Sequence, residues 1–205
     1  MRQRIISFLI IALASIGHAY AAESATQLIN RAAKTISTAP SVSTKYTIMA
    51  SDGSKTIGAM TISGNRFLMA TDQIKVWYDG KTQWTYMPSA QEVNITEPTS
   101  EELQQINPIS IINSFKSNYT VSPSKNTATE STIELKANNK NAEIKMVTLT
   151  LNKSTALPSR IILKMSSGQT ATIQINSISI GKKLSDASFR FPKSNYPKAE
   201  IIDLR

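Results

Sequence analysis

Apolar residues recur along this chain with two periods, and the changes of period mark its elements. Ala25, Leu28, Ile29, Ala32, Ala33 and Ile36 fall at i, i+3, i+4 spacing, which predicts one stripe of a helix capped by Ser24 and ended by Pro40. From Val42 the period drops to two. Val42, Thr44, Tyr46, Ile48 and Ala50 alternate with polar residues until the turn signal Asp52-Gly53. Gly64-Asn65 then reads as a two-residue hairpin loop pairing Ser63 with Arg66, Ile62 with Phe67 and Met60 with Met69. That register points Met60, Ile62, Phe67 and Met69 to one side and Thr61, Arg66 and Leu68 to the other.

The run Val76 to Pro88 predicts a second hairpin, with aromatic and β-branched residues on both sides of Asp79-Gly80-Lys81. A two-residue turn would mix polar and apolar side chains on each face. A three-residue loop with a positive-φ bulge pairs Tyr78 with Thr82 and Val76 with Trp84. Ile74, Val76, Trp84 and Tyr86 then share an apolar face, opposite Lys75 and Thr85, and a slip of one residue would turn every side chain over.

Gln91 to Thr96 predicts a short strand with Val93 and Ile95 on one face. The β pattern breaks at Glu97-Pro98, where Thr99 and Glu102 form a capping box that opens a short helix through Ile106. Asn107-Pro108 starts another helix, with Ile109, Ile112 and Phe115 as its stripe. The period-2 pattern returns in Tyr119 to Val121, Ile133 to Ala137, Ile144 to Leu151, Arg160 to Met165 and Ala171 to Ile180. Phe189-Arg190-Phe191-Pro192 suits an edge strand or a closing turn, and the residues after Pro197 are expected to be loosely held. About eleven short antiparallel strands with one apolar face must curl, close or pair with a second sheet. A sandwich needs no helices, whereas amphipathic helices arrive here at the start and in the middle. The predicted fold is mainly β: an incomplete antiparallel barrel whose concave apolar face is covered by two or three short helices.

Composition adds constraints. Residues 1–21 have a charged start, Arg2 and Arg4, an apolar run from Ile5 to Ile16, and Ala19-Tyr20-Ala21 before a cleavage point, which predicts an export signal removed ahead of Ala22. The apolar run is short of the ~20 residues a spanning helix needs. Residues 22–205 are then expected to form a single soluble domain. The chain has no cysteine, so neither a disulfide nor a thiol-linked lipid anchor is available, and its one histidine, His18, lies in the predicted signal. Histidine- and cysteine-based catalysis and zinc sites drop out. The formal charge of +9 loses two units with Arg2 and Arg4. The remaining cations are scattered, as a solvated basic face or as an attraction to anionic membranes or partners.

Several short motifs occur in order: Phe67 after Gly64-Asn65, Asp79-Gly80-Lys81-Thr82 before Trp84-x-Tyr86, Asn107-Pro108 with its apolar helix, Tyr119-x-Val121, and Phe189-x-Phe191-Pro192. From Ala25 to Pro192 the chain resembles the periplasmic outer-membrane lipoprotein carrier (LolA-like) family. The resemblance implies an open barrel of about eleven strands with helices over a hydrophobic hollow. It implies acyl chains of lipoproteins as cargo, received from an inner-membrane ABC-transporter complex and delivered to an outer-membrane acceptor. No cofactor is implied, and a monomer is expected. The family often carries Arg-Pro just before the turn that precedes the Phe67 position, an arginine linked to holding the lid; Ser63-Gly64 stands there instead. Arg66, close by but on the reverse face, is a candidate lid or partner contact.

On this reading Met60, Ile62, Phe67, Met69, Ile74, Val76, Trp84, Tyr86, Ile109, Ile112 and Phe115 line the cavity or form the core beside it. The unbranched thioethers suit a flexible guest. A non-catalytic sensor of lipids or lipoproteins with the same fold is the alternative. For an enzyme the chain offers only carboxylates: Glu101-Glu102 suit the first turn of a helix, Glu130 and Glu134 a solvated strand. Export and the lack of a basic stripe with interleaved aromatics oppose nucleic-acid binding.

Overall fold

The computed structural model describes residues 23–205 apart from Pro108 and Ser124, so the predicted export signal and the proline of Asn107-Pro108 lie outside the described residues. In chain order the elements are α1 (Ala25–Thr38), β1 (Ser41–Ala50), β2 (Lys55–Ser63), β3 (Arg66–Thr71), β4 (Lys75–Tyr78), β5 (Gln83–Met87) and β6 (Glu92–Thr96). There follow α2 (Ser100–Ile106), α3 (Ser110–Asn118), β7 (Tyr119–Val121), β8 (Lys125–Asn126), β9 (Glu130–Ala137), β10 (Ile144–Asn152), β11 (Pro158–Met165) and β12 (Thr170–Gly181). Two 3-10 turns, Asp186–Phe189 and Lys193–Asn195, lead to β13 (Glu200–Asp203).

All strands belong to one sheet, ordered β13-β6-β5-β4-β3-β2-β1-β12-β11-β10-β9-β7 with β8 paired to β9. Its end strands, β13 and β7, do not meet, so the sheet is an open, incomplete barrel. Among the described residues the thirteen strands exceed the expected eleven through the two-residue β8 and through β13. The tail is not loose: Glu200–Asp203 pairs with β6, and it pairs in parallel, the exception in an otherwise antiparallel sheet.

Local chemistry accounts for the helices. Ser24 and Gln27 satisfy each other's backbone N–H groups at the start of α1, and Thr99 and Glu102 do the same for α2, so both capping boxes form. Leu28, Ile29, Ala32 and Ile36 of α1 are buried with Ile111, Ile112 and Phe115 of α3 against the inward residues of the sheet, among them Ile62, Phe67, Leu135, Leu149 and Ile161. Ser63, where the resemblance implies an arginine, donates its hydroxyl to the Pro40 carbonyl at 2.8 Å and ties the first hairpin to the end of α1.

The first hairpin has the expected register: Ile62 faces Phe67 and Met60 faces Met69. The second is displaced by one residue. Tyr78 pairs with Gln83, Trp77 with Trp84 and Lys75 with Tyr86. The Asp79 carboxylate accepts from the backbone N–H groups of both Lys81 and Thr82, at 3.1 and 3.0 Å, with Gly80 at φ +104°, and so closes a four-residue loop. Trp84 and Tyr86 therefore face outward with Trp77.

These rings are not wasted on solvent. Phe191 and Tyr196 from the C-terminal segment pack on Trp77 and Tyr86, with ring centroids 5.4 Å apart for Trp77–Phe191 and 4.6 Å for Tyr86–Tyr196. Val93, beside Tyr86 on the same outer face, is fully buried. Arg190 pairs with Asp79 at 3.3 Å, and Arg66 pairs with Asp186 while lying over the Phe189 ring. The segment is thus a strap over the back of β3 to β6. Phe189→Ala, which empties a fully buried site, is expected to cost about 3–5 kcal/mol in urea denaturation, whereas Asp186→Asn, on an exposed ion pair, is expected to leave the midpoint nearly unchanged.

Candidate functional site

The two ends of the barrel differ. At one end α1 spans between the β10–β11 turn, where Arg31 donates to the carbonyls of Lys153 and Ser154, and the β2 end at Ser63. Core side chains fill the space beneath it. At the other end lies an open cavity of about 540 Å³. Its walls are the inner faces of β1 (Thr44, Tyr46, Ile48), β2 and β3 (Met60, Met69), β11 (Ile161, Leu163, Met165) and β12 (Ile173, Ile175). Ile106 at the end of α2 and Ile109 before α3 complete them, and the rim carries Ser51, Asp52, Gln73, Gln105 and Gln169. The walls are mainly apolar, the polar groups gather at the rim, and the size falls inside the ~300–1,000 Å³ range of small-ligand pockets.

The structure sorts the expected lining residues into three groups. Met60, Met69, Ile74 and Ile109 stand on the cavity. Ile62, Phe67, Val76, Ile112 and Phe115 are sealed in the adjoining core. Trp84 and Tyr86 are on the opposite face of the sheet, for the reason of register given above. Arg66 meets the C-terminal strap rather than α2 or α3. Missed by sequence reasoning were the opposite wall, Ile161, Leu163, Ile173 and Ile175, and the covering Ile106. Their alternation marks them as inward, but only the pairing of β12 with β1, from Ala50 with Ala171 to Ser41 with Gly181, brings that wall to face Met60 and Met69.

The α2–α3 cover is tied to the sheet by a buried polar contact. Tyr119 Oη donates to Gln104 Oε1 at 2.9 Å, and Gln104 Nε2 reaches Ser114 Oγ at 3.4 Å. No arginine takes part.

Tyr46 is the most unusual wall residue. Its ring lies across Gly58, the facing residue of β2, where a Cβ would come within 2.6 Å of the ring and its hydroxyl. Glycine permits this close approach. The side chain is 5 % exposed and its hydroxyl has no hydrogen-bond partner among the described residues. Burial pushes the phenol up to about 12. Among the described residues no three His, Asp or Glu side chains come together as a metal site.

A family model described as outer membrane lipoprotein carrier protein LolA matches residues 15–169. The chain belongs to that family. No curated protein matches its sequence. Among solved structures it is similar to an uncharacterized conserved protein from Thermus thermophilus, with a TM-score of 0.59, 12 % identity, and coverage of 87 % of this chain and 98 % of that one. A DUF1329 family protein from Desulfovibrio piger has a TM-score of 0.50 at 13 % identity, covering 83 % and 98 %. A LolA superfamily protein from Nitrosomonas europaea has a TM-score of 0.45 at 14 % identity, covering 82 % and 98 %. At these identities the likeness to the first two is one of fold. No helix among the described residues is long and apolar enough to cross a membrane.

The orphaned hydroxyl yields a prediction. A buried polar group without a partner costs about 1–3 kcal/mol, so Tyr46→Phe is expected to be at least as stable as the parent at neutral pH. Because the folded phenol ionises above its ordinary value of 10.0, the unfolded chain releases its proton first. This contribution is complete below about pH 10 and is lost as pH rises towards 12. Urea midpoints across that window should fall less steeply for Tyr46→Phe; a lower midpoint at neutral pH would show that the hydroxyl has a stabilising partner.

Proposed function

We propose that this protein is a periplasmic carrier that shelters the acyl chains of lipid-modified proteins between the inner and outer membranes. The observation that carries the reading is the open apolar cavity at one end of a barrel whose other end is plugged by α1, within a chain of the lipoprotein carrier family. An acyl chain gains about 0.8 kcal/mol for each methylene taken out of water, so one long chain is worth on the order of 10 kcal/mol. A lipid-modified protein therefore does not cross an aqueous space unescorted.

The work is divided among few elements. Met60, Met69, Ile161, Leu163 and Ile173 offer an apolar bed of mixed shapes. The α2–α3 junction, through Ile106 and Ile109, acts as the movable wall, held by Tyr119 and Gln104 instead of the family's arginine. The rim of glutamines, serines and Asp52 stays solvated while the tails enter. Residues 1–21 serve as the export signal, an inner-membrane transporter complex loads the carrier and an outer-membrane acceptor empties it. Binding and release of this kind call for no catalytic group.

The test uses the cavity's partly exposed residues, since Phe67 and Ile112 are sealed and acidic substitutions there would unfold the protein. Met69→Glu and Ile74→Glu are expected to fold and be exported yet to reduce release of lipoproteins from inner-membrane spheroplasts by tenfold or more, on the order of the ~1.4 kcal/mol or more lost by placing a charge where an acyl chain must lie. Trp84→Gln, on the outer face, should release lipoproteins normally. Normal release by folded Met69→Glu would contradict the reading, and bound lipoprotein that is never handed to an acceptor would mark a sensor instead of a carrier.

A further inference from the structure

Four neighbouring strands, in the spatial order β2-β1-β12-β11, contain no aspartate or glutamate. Their outward positions carry Lys45, Lys55, Arg160 and Lys164, all exposed. None of these four cations forms an ion pair with a carboxylate among the described residues; Arg160 donates instead to the side-chain carbonyl of Gln174, at 3.0 Å. In a chain with 14 acidic residues, whose other cations include several paired with carboxylates, this face is uncompensated.

Apolar side chains are interleaved with the charges. Met49 sits opposite both Lys55 and Thr172, and Ile57 lies diagonally beside it on β2. They are 58 % and 62 % exposed, high values for side chains of this kind. Ile162, facing Thr172 across the β11–β12 pair, continues the row. Lys45 and Arg160 lie midway along the face, opposite Ser177 and Gln174, and the remaining residues gather towards one end. Met49, Lys55 and Lys164 stand at the ends of their strands nearest the β1–β2 and β11–β12 turns, and those turns supply Ser51, Asp52 and Gln169 to the cavity rim. The strands are all paired on both edges, so the face offers no backbone for an incoming strand. Nor do the cations converge on a pocket. A flat field of spaced cations with apolar side chains between them matches a surface that is itself laterally adaptable and negatively charged.

We infer that this outer face docks on an anionic phospholipid bilayer, the lysines on the headgroup phosphates and Met49 and Ile57 dipping between headgroups, which brings the cavity rim to the membrane surface. The docking does not depend on what fills the cavity. A cation near an anionic bilayer surface is worth about a fivefold gain in binding, and the attraction is lost as salt screens it.

The test is sedimentation with vesicles, using the chain begun at Ala22, because every helix and strand described lies after Ser24. Binding to vesicles of phosphatidylglycerol and phosphatidylcholine is expected, and little to phosphatidylcholine alone. Lys45→Gln, Lys55→Gln and Lys164→Gln should each weaken binding by about fivefold, and Met49→Ser with Ile57→Ser should weaken it further, all with unchanged circular dichroism and melting. Lys116→Gln and Lys140→Gln, exposed cations elsewhere, should have little effect. No preference for the anionic vesicles, or equal losses from the Lys116 and Lys140 variants, would overturn the proposal. Capture of poly-glutamate without vesicle binding would also overturn it, in favour of an acidic protein partner. Because no cargo is present, failure here leaves the carrier reading standing, and failure of lipoprotein release leaves the docking face standing.

Discussion

The architecture depends on a mismatch of surfaces. A long sheet buries apolar side chains on its concave side, and α1, α2 and α3 must cover them. Helix α1 is well capped, and its stripe is matched to α3 and the sheet, so it seals one end with a filled core. What is left is the stretch where β1, β2, β3, β11 and β12 curve around the α2–α3 junction. There the inward side chains meet each other only across a gap. Apolar walls facing a gap forgo both dispersion contacts and burial, and a guest with the same chemistry restores them.

The reverse side of the sheet obeys a second constraint. In β5 and β6 the inward positions are polar, Gln83, Thr85, Asn94 and Thr96, while Trp84, Tyr86, Val93 and Ile95 point outward. Such strands need a cover on the convex side, and the strap from Phe189 to Asp203 provides it with Phe191, Tyr196 and β13. The barrel is therefore two-sided: one apolar surface is closed by its own chain, the other is left open at the mouth. The fixed strap and the tethered α2–α3 cover are distinguishable by chemistry. The first is held by stacked rings, ion pairs and a β-ladder, the second by Tyr119, Gln104 and a few aliphatic contacts.

Much of this was legible in the sequence because it is set locally. Capping boxes, period-2 runs and the Gly64-Asn65 turn each fix their geometry within a few residues, and the incomplete barrel with helical cover follows from their order. The Asp79 hairpin was not legible in the same way. Its register rests on one carboxylate closing a four-residue loop, and a shift of one residue exchanges the two faces of β5. Ile74, Val76, Trp84 and Tyr86 form a plausible single face only if the C-terminal aromatics have no use for the outer one. The second wall of the cavity and the cationic face were hidden for a different reason. Both are assembled by the pairing of β1 with β12, and no local pattern announces which distant strands will be neighbours. Lys45, Lys55, Arg160 and Lys164 look scattered along the chain and adjoin only in the folded sheet.

The central claim is that fatty tails complete the apolar wall left exposed at the mouth. Native mass spectrometry of protein recovered from the envelope of its own cells tests it most directly. The account predicts a population heavier than the bare chain by the mass of an acylated polypeptide, which detergent strips away and which Met69→Glu does not carry. Protein recovered wholly as the bare chain, or carrying a water-soluble guest that Met69→Glu retains, would contradict it.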